Sequence, residues 1–213
     1  MARNFNGTSH YIETPSAVVS AEPLTMACWF RPSDITVSYV LMSVSEFSSL
    51  ARHQMTCSGA TAGDPVRMAS VNAAGAAGIA ATSAGYSSGA WHHAAAVISS
   101  SSSRSVYLNG GSSGTDSTLI TASSINRTCV GASRHNSVTN NPFSGDLAEA
   151  AIWAAALTAA EIASLAAGYS PLLIRREALA FYAPLIRNVQ DIRGGLALTD
   201  AGTTVADHPR IIL

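Results

Sequence analysis

The sequence predicts an all-β chain: an antiparallel two-sheet β-sandwich with one short C-terminal helix at about residues 158–167 and a tail behind it. Three observations predict this. Short segments with apolar side chains at alternate positions recur about every ten residues, parted by Gly, Ser and Asn turns. Helical patterning occurs once, late in the chain. And 213 residues suit one large sandwich domain, long enough to bury roughly 70% of its unfolded surface without disulfides or metals. The expected division is a sandwich over 1–186 and a C-terminal tail or arm over 187–213.

The elements follow in order. Phe5 and Tyr11-Ile12 flank Asn6-Gly7-Thr8, a turn between short strands. In Leu24–Arg31, Leu24, Met26, Cys28 and Phe30 share one face and Thr25, Ala27, Trp29 and Arg31 the other, before Pro32 stops the strand. Tyr39–Val44 is apolar on both faces, as in a central strand covered twice. Arg52–Cys57, Val66–Val71, a weak Ala76–Thr82 within the small-residue stretch Asn72–Ala84, and Trp91–Ile98 come next. Ser99–Ser103 reads as a solvated hairpin tip, and Arg104–Asn109 as an arm ending in the Asn109-Gly110 turn. Ile125–Gly131, Asp146–Trp153 and Ala178–Leu185 complete the strands, and Trp29, Trp91 and Trp153 are expected in the core. For the helix, Thr158 and Glu161 form a capping box, Leu157 and Ile162 a hydrophobic staple, and Ile162, Leu165 and Ala166 one face. Gly168 suits a left-handed C-cap and Pro171 blocks continuation. The tail is irregular and ends in Arg210-Ile211-Ile212-Leu213, an apolar segment that needs a surface to lie on: its own sandwich or another subunit.

Charged residues are only 12% of the chain, about half the usual share, so the surface is built from Ser, Thr, Asn, Gly and Ala. All twelve basic residues are Arg, net charge is −1, and no basic stripe exists, which argues against nucleic-acid binding. Cys28, Cys57 and Cys129 are odd in number and widely spaced, as for buried free thiols rather than a disulfide framework or zinc site. No run reaches the ~20 apolar residues of a membrane span, and the N-terminus lacks the apolar core of a signal peptide, so no membrane insertion and synthesis in the cytoplasm are expected.

Five segments occur in a telling order: Asn4–Thr8, Cys28–Pro32, Trp91–Ala95, Val106–Gly110 and Gly145–Ile162. Together they resemble the laminin-G-like, concanavalin-A-like family of jelly-roll sandwiches over residues 3–186. The resemblance implies that the N-terminal strand pairs near Gly145–Trp153 and that the short helix packs at the sandwich edge. The form of the chain also resembles stand-alone members encoded by tailed bacteriophages.

Several chemistries can be weighed. Gly85-Tyr86-Ser87-Ser88-Gly89 and Gly110-Gly111-Ser112-Ser113-Gly114 match the nucleophile-elbow pattern, but a strand follows the first and the second is a hairpin loop, where the elbow needs a helix. His92 and His93 point to opposite faces of a strand and cannot grip one metal ion. Glucanases of the family's fold carry clustered carboxylates on one strand; here Asp146 and Glu149 are three apart, with Asp146 expected to support a turn and Glu149 to be an edge or solvent residue. Some laminin-G-like domains hold Ca²⁺, but Asp34, Asp64, Asp116 and Asp146 are isolated in sequence, so Ca²⁺ stays a candidate without named ligands and no other cofactor is expected. The loop Arg134-His135-Asn136 with Asn140-Asn141, and the ring of Tyr86, are the candidate ligand-binding groups, since sugars are held by rings and amides.

The expectation is a non-catalytic protein. Low charge, the absent leader and the apolar tail point to a structural or adhesive component of a phage virion, such as a head decoration or fibre, in a homo-oligomeric or multivalent array on neighbouring capsid or fibre subunits. Arg210, Ile211, Ile212 and Leu213 are its candidate contact residues. The alternative is a lectin-like module that binds cell-surface glycans; a glycoside hydrolase is the remote one.

Overall fold

The computed structural model describes residues 2–212. Its strands begin with β1 (Ala2–Asn6), β2 (Ile12–Thr14), β3 (Leu24–Pro32), β4 (Ser38–Ser45), β5 (Arg52–Ser58) and β6 (Pro65–Val71). Next come β7 (Ala77–Gly85), β8 (His92–Ser100), β9 (Ser103–Leu108), β10 (Ser112–Asp116), β11 (Arg127–Val130), β12 (Ser133–His135) and β13 (Val138–Asn140). After β14 (Ser144–Trp153) and the helix α1 (Ala159–Ala166) follow β15 (Leu179–Ala183), β16 (Thr199–Asp200) and β17 (Thr204–Ala206). The first sheet runs β10-β9-β8-β3-β14-β1-β17 with β15 also beside β14; the second runs β16-β2-β11-β4-β5-β6-β7. All pairings within them are antiparallel, so the molecule is the expected two-sheet jelly roll.

The alternation read in β3 sets the layers. Leu24, Met26, Cys28 and Phe30 point into the core between the sheets, with Met42, Met55, Met68, Val106 and Leu147. The opposite face of β3 and its neighbours offers the small side chains Ala27, Ala95 and Ala151, which make a bed for Leu157, Ile162 and Leu165. The helix therefore lies over the face of the first sheet rather than at its edge. Its start is as expected: Thr158 accepts from the Glu161 amide, Glu161 reaches back, and both staple residues are buried. β1 pairs with β14 in the register Phe5 to Gly145. The three cysteines are free and buried.

Four sequence expectations need correction. Ser112–Asp116 is a strand, not a hairpin loop: the turn is over by Gly111, and Ser112 Oγ meets Ser83 Oγ at 3.1 Å and accepts from the Ala84 amide at 2.8 Å, stitching the sheet edges together. A Cβ on Gly114 would overlap the Ala81 carbonyl, so that glycine serves packing rather than a nucleophile turn. Trp153 is in the core under the helix, but Trp29 and Trp91 are half-buried on the outer face of the first sheet, with the Arg31 guanidinium 5.2 Å from the Trp91 ring. Glu149 is not a solvent residue: β14 bulges there, φ is +55°, and the carboxylate is buried beneath the tail on the outer face of the first sheet, where it accepts from the Tyr182 hydroxyl at 2.5 Å. Asp146 is ion-paired with Arg31 at 2.7 Å on that outer face.

The tail folds onto its own sandwich. β16 adds to β2 and β17 to β1, so the tail supplies an edge strand to each sheet. Arg3 ties it down through Asp200, the Thr203 hydroxyl at 2.8 Å and the Thr203 carbonyl at 2.9 Å. Asp191 accepts four backbone N–H bonds, from Tyr182, Arg193, Gly194 and Leu196. Ile212 bridges to Tyr169, Ile211 turns toward a cleft beside Tyr182, and Arg210 is exposed; Leu213 lies outside the described residues.

Candidate functional site

The residues singled out in the sequence do not form one site. Arg134, His135 and Asn140 belong to the β12–β13 hairpin, which lies across the outer face of β4, where Ser43 and Ser45 donate to the Ala132 and Arg134 carbonyls at 3.0 and 2.6 Å. That hairpin is the second cover of the doubly apolar strand. Arg134 is spent on structure: it donates to Thr139 Oγ1 at 2.5 Å, lies 3.2 Å from Glu13, and stacks 5.0 Å from Tyr11 and 5.2 Å from Phe47. His135 is buried, its Nδ1 2.9 Å from Ser133 Oγ, and Asn140 donates to the His135 carbonyl at 3.1 Å. Burial and the Arg52 charge hold the His135 pKa down at about 4, so the ring is neutral at pH 7. Asn136 alone is exposed, at the hairpin turn with φ +52°.

Tyr86 offers no ring to a ligand. It is 5% exposed and packs edge-on against Phe30 at 5.5 Å, which corrects the sequence reading. It sits at the end of an apolar core cluster, not beside the hairpin's polar tip. No three His, Cys, Asp or Glu side chains converge to hold a metal among the described residues. Three of the four carboxylates considered for Ca²⁺ are engaged apart from one another, Asp34 with the Tyr39 hydroxyl at 2.7 Å, Asp116 with Arg104 and Asp146 with Arg31, and Asp64 joins none of them. That donor set does not fit a calcium ion, which needs six to eight converging oxygens.

The hairpin nevertheless bounds a site. Past its second strand, Asn141 reaches the edge of a groove on the outer face of the second sheet, and the Asn141 carbonyl accepts from the Val40 amide at 3.0 Å. The groove runs across β4–β7 and is lined by Ser38, Gln54, Thr56, Ser58, Arg67, Ala69, Ile79 and Asn141, with a volume of about 190 Å³. Strand alternation puts Gln54, Thr56 and Ser58 on one face, and register sets Thr56 beside Arg67, Gln54 beside Ala69 and Ser38 beside Ser58. Ala69 and Ile79 form an apolar floor.

The polar side chains of this groove are left free. Gln54 Oε1 accepts from Arg52 Nε at 2.8 Å, which leaves the Gln54 NH₂ as a donor. Arg67 makes one long contact, to Thr61 Oγ1 at 3.5 Å. Ser38, Thr56, Ser58 and Asn141 make no side-chain hydrogen bond among the described residues, and none is an atom sealed from solvent. No carboxylate lines the groove. Apart from Asn141, beside the polar loop, no single one of these residues stands out in the sequence; only the cross-strand register assembles them. The available signal was the polar alternation of Arg52–Ser58 next to a lone Arg67.

A second cleft of about 410 Å³ lies where the tail meets β15. Its walls are Leu172, Pro184, Ile186, Ile192 and Ile211, with Glu149, Tyr182 and His208 as its polar side. Its carboxylate is already held by Tyr182, with His208 Nε2 3.0 Å away.

Among solved structures the fold resembles a heptameric SAP-like pentraxin from Limulus polyphemus, with 15% identity over 95% of this chain and 93% of that chain and a TM-score of 0.67. It also resembles a sialidase CBM40 domain of Ruminococcus gnavus bound to α2,3-sialyllactose, with 14% identity, coverage of 78% and 95%, and a TM-score of 0.62. Domain 4 of an extracellular arabinanase from Geobacillus stearothermophilus, in complex with arabinotriose, matches with 21% identity, coverage of 78% and 76%, and a TM-score of 0.60. No curated protein matches the sequence significantly. The family model described as the Concanavalin A-like lectin/glucanases superfamily matches residues 6–163. With most of its length matched and the jelly roll complete, the chain belongs to the concanavalin A-like lectin/glucanase superfamily.

Proposed function

We propose that this chain is a non-catalytic carbohydrate-binding module that holds a glycan in the groove across β4–β7. The observation that carries the proposal is the convergence of unpartnered hydroxyl, amide and guanidinium groups on a rigid sheet face, over the apolar floor of Ala69 and Ile79. A sugar presents both kinds of surface: hydroxyls to be bonded and C–H faces to be covered. The structural likeness to carbohydrate-bound modules of a sialidase and an arabinanase supports the same reading. Glycoside hydrolysis needs two carboxylates about 5 to 9 Å apart across the sugar, and none lines the groove.

A groove of about 190 Å³ is below the usual range for enclosed ligand sites and has room for about one sugar residue. Four or five hydrogen bonds at about 1 kcal/mol each give a dissociation constant on the order of 0.1–1 mM for one site. Such weak sites become effective through repetition. The virion-surface reading draws on the low surface charge, which also suits close packing in an array; its proposed attachment arm, however, is already laid along β1 and β2.

The test is calorimetric titration with oligosaccharides selected on a glycan array, using wild type and the pair Gln54→Ala and Asn141→Gly, glycine being at ease at the φ of +46° there. The proposal predicts that each variant weakens binding about three- to ten-fold, roughly one hydrogen bond, with unchanged thermal unfolding. Binding of a glycan unaffected by both variants would remove the groove from the account.

A further inference from the structure

Six of the arginines have a carboxylate partner within the fold. Arg3 pairs with Asp200, Arg31 with Asp146, Arg104 with Asp116, Arg127 and Arg134 with Glu13, and Arg175 with Glu161. Of the half-buried arginines without such a partner, Arg52 is tied to Gln54 Oε1 and the Leu50 carbonyl, at 2.8 and 2.7 Å, and the other is Arg67. It is half-buried on the groove wall, yet no carboxylate lies within ion-pair distance of it among the described residues. Of its five N–H donors only one has a protein contact, the 3.5 Å approach to Thr61. A guanidinium held partly out of water on a rigid strand, with its fork open, is prepared for a planar or tetrahedral oxyanion.

The rest of the groove agrees. The bond from Arg52 takes one lone pair of Gln54 Oε1 and leaves the Gln54 NH₂ free as a donor. The hydroxyls of Ser38, Thr56 and Ser58 can donate as well. With no carboxylate in the lining, the groove has no strong acceptor. A neutral sugar can meet these donors only with hydroxyl and ring oxygens, which are uncharged and weaker acceptors for a guanidinium. An acidic sugar brings a charged acceptor.

We infer that the groove selects acidic glycans, with the carboxylate or sulfate of one sugar residue on Arg67 and the ring of that residue over Ala69 and Ile79. This rests on the carbohydrate reading above and adds the class of sugar. The chemistry shared by both sources is an oxyanion carried on a sugar ring.

The experiment uses an array of neutral, uronic and other carboxylated, and sulfated glycans, probed with wild type, Arg67→Gln, Arg67→Lys and, as a control of equal charge change, the exposed Arg176→Gln. Bound carboxylated glycans are then titrated against their methyl esters, which keep the ring and remove the charge; sulfated ones are titrated against their desulfated forms. The inference predicts that wild type binds the acidic form at least about ten-fold more tightly than its neutral counterpart. Arg67→Gln abolishes this preference, Arg67→Lys restores part of it, and Arg176→Gln keeps it. Whether carboxylated or sulfated glycans respond identifies the source of the oxyanion. Equal binding of charged and neutral forms, or a preference that survives Arg67→Gln, overturns the inference and leaves the carbohydrate reading standing. An array on which nothing binds overturns both. A matched thermal unfolding curve for Arg67→Gln separates lost recognition from lost folding.

Discussion

Replacing Asp191 by Ala should show that residues beyond 187 are part of the folded domain. The carboxylate is buried, and its Oδ1 accepts from the amides of Tyr182 at 3.0 Å, Arg193 at 3.1 Å and Gly194 at 3.0 Å, while Oδ2 accepts from Leu196 at 3.3 Å. Of these donors, the Tyr182 amide is buried, so losing its partner costs about 1–3 kcal/mol. The other three are partly buried and can turn to water, for about 0.5 kcal/mol each. The sum is about 3 kcal/mol, which in a domain of this size lowers Tm by about 6–12 °C. Asp191→Asn keeps one acceptor oxygen and should lose about half as much. Differential scanning calorimetry, with limited proteolysis to follow release of the tail, measures both. A Tm within about 1 °C of wild type for Asp191→Ala would refute the reasoning, because the tail would then not be fastened through this carboxylate.

Two further outcomes are expected. Gly114→Ala places a methyl group against the Ala81 carbonyl where the two sheet edges meet, and should cost about 1–3 kcal/mol in urea unfolding; an unchanged midpoint would mean that β7 and β10 do not approach so closely. Burial lowers the pKa of His53 to about 4, with help from Arg104, and that of His93 to about 3. Because both are depressed below the unfolded value of about 6.5, their contribution is present above that pH and is lost as pH falls from 6.5 toward 4, on the order of 2 kcal/mol each by about pH 4.5. Urea midpoints at pH 7 and pH 4.5 that coincide would contradict this.

The strand order was open to reading because alternation carries it. In β3 the two faces separate cleanly, and in α1 the cap, staple and stop are all local signals between Leu157 and Pro171. What escaped depends on partners far away in sequence. Ser112–Asp116 is too small and polar to announce a strand; its pairing with β9 and the close approach of Gly114 to Ala81 make it one. Thr199–Asp200 and Thr204–Ala206 are held by β2, β1 and Arg3, almost two hundred residues earlier. Glu149 reads as an ordinary strand residue, but a bulge and the tail above it bury its carboxylate against Tyr182 and His208. The polar loop Arg134–Asn140 drew attention because its side chains are functional types, yet those side chains fasten the hairpin to Glu13, Ser133 and Thr139. The groove lies instead around Gln54, Thr56 and Arg67, where each residue is unremarkable alone and chemistry arises from register across the four strands β4–β7.

The most direct measurement is amide chemical-shift mapping by NMR during titration with a bound oligosaccharide. The account predicts that the largest shifts fall at Gln54–Ser58, Arg67–Ala69, Ile79 and Asn141, on the outer face of β4–β7. Shifts concentrated elsewhere, on the Trp29–Trp91 face of the first sheet or in the cleft beside Tyr182, would contradict it.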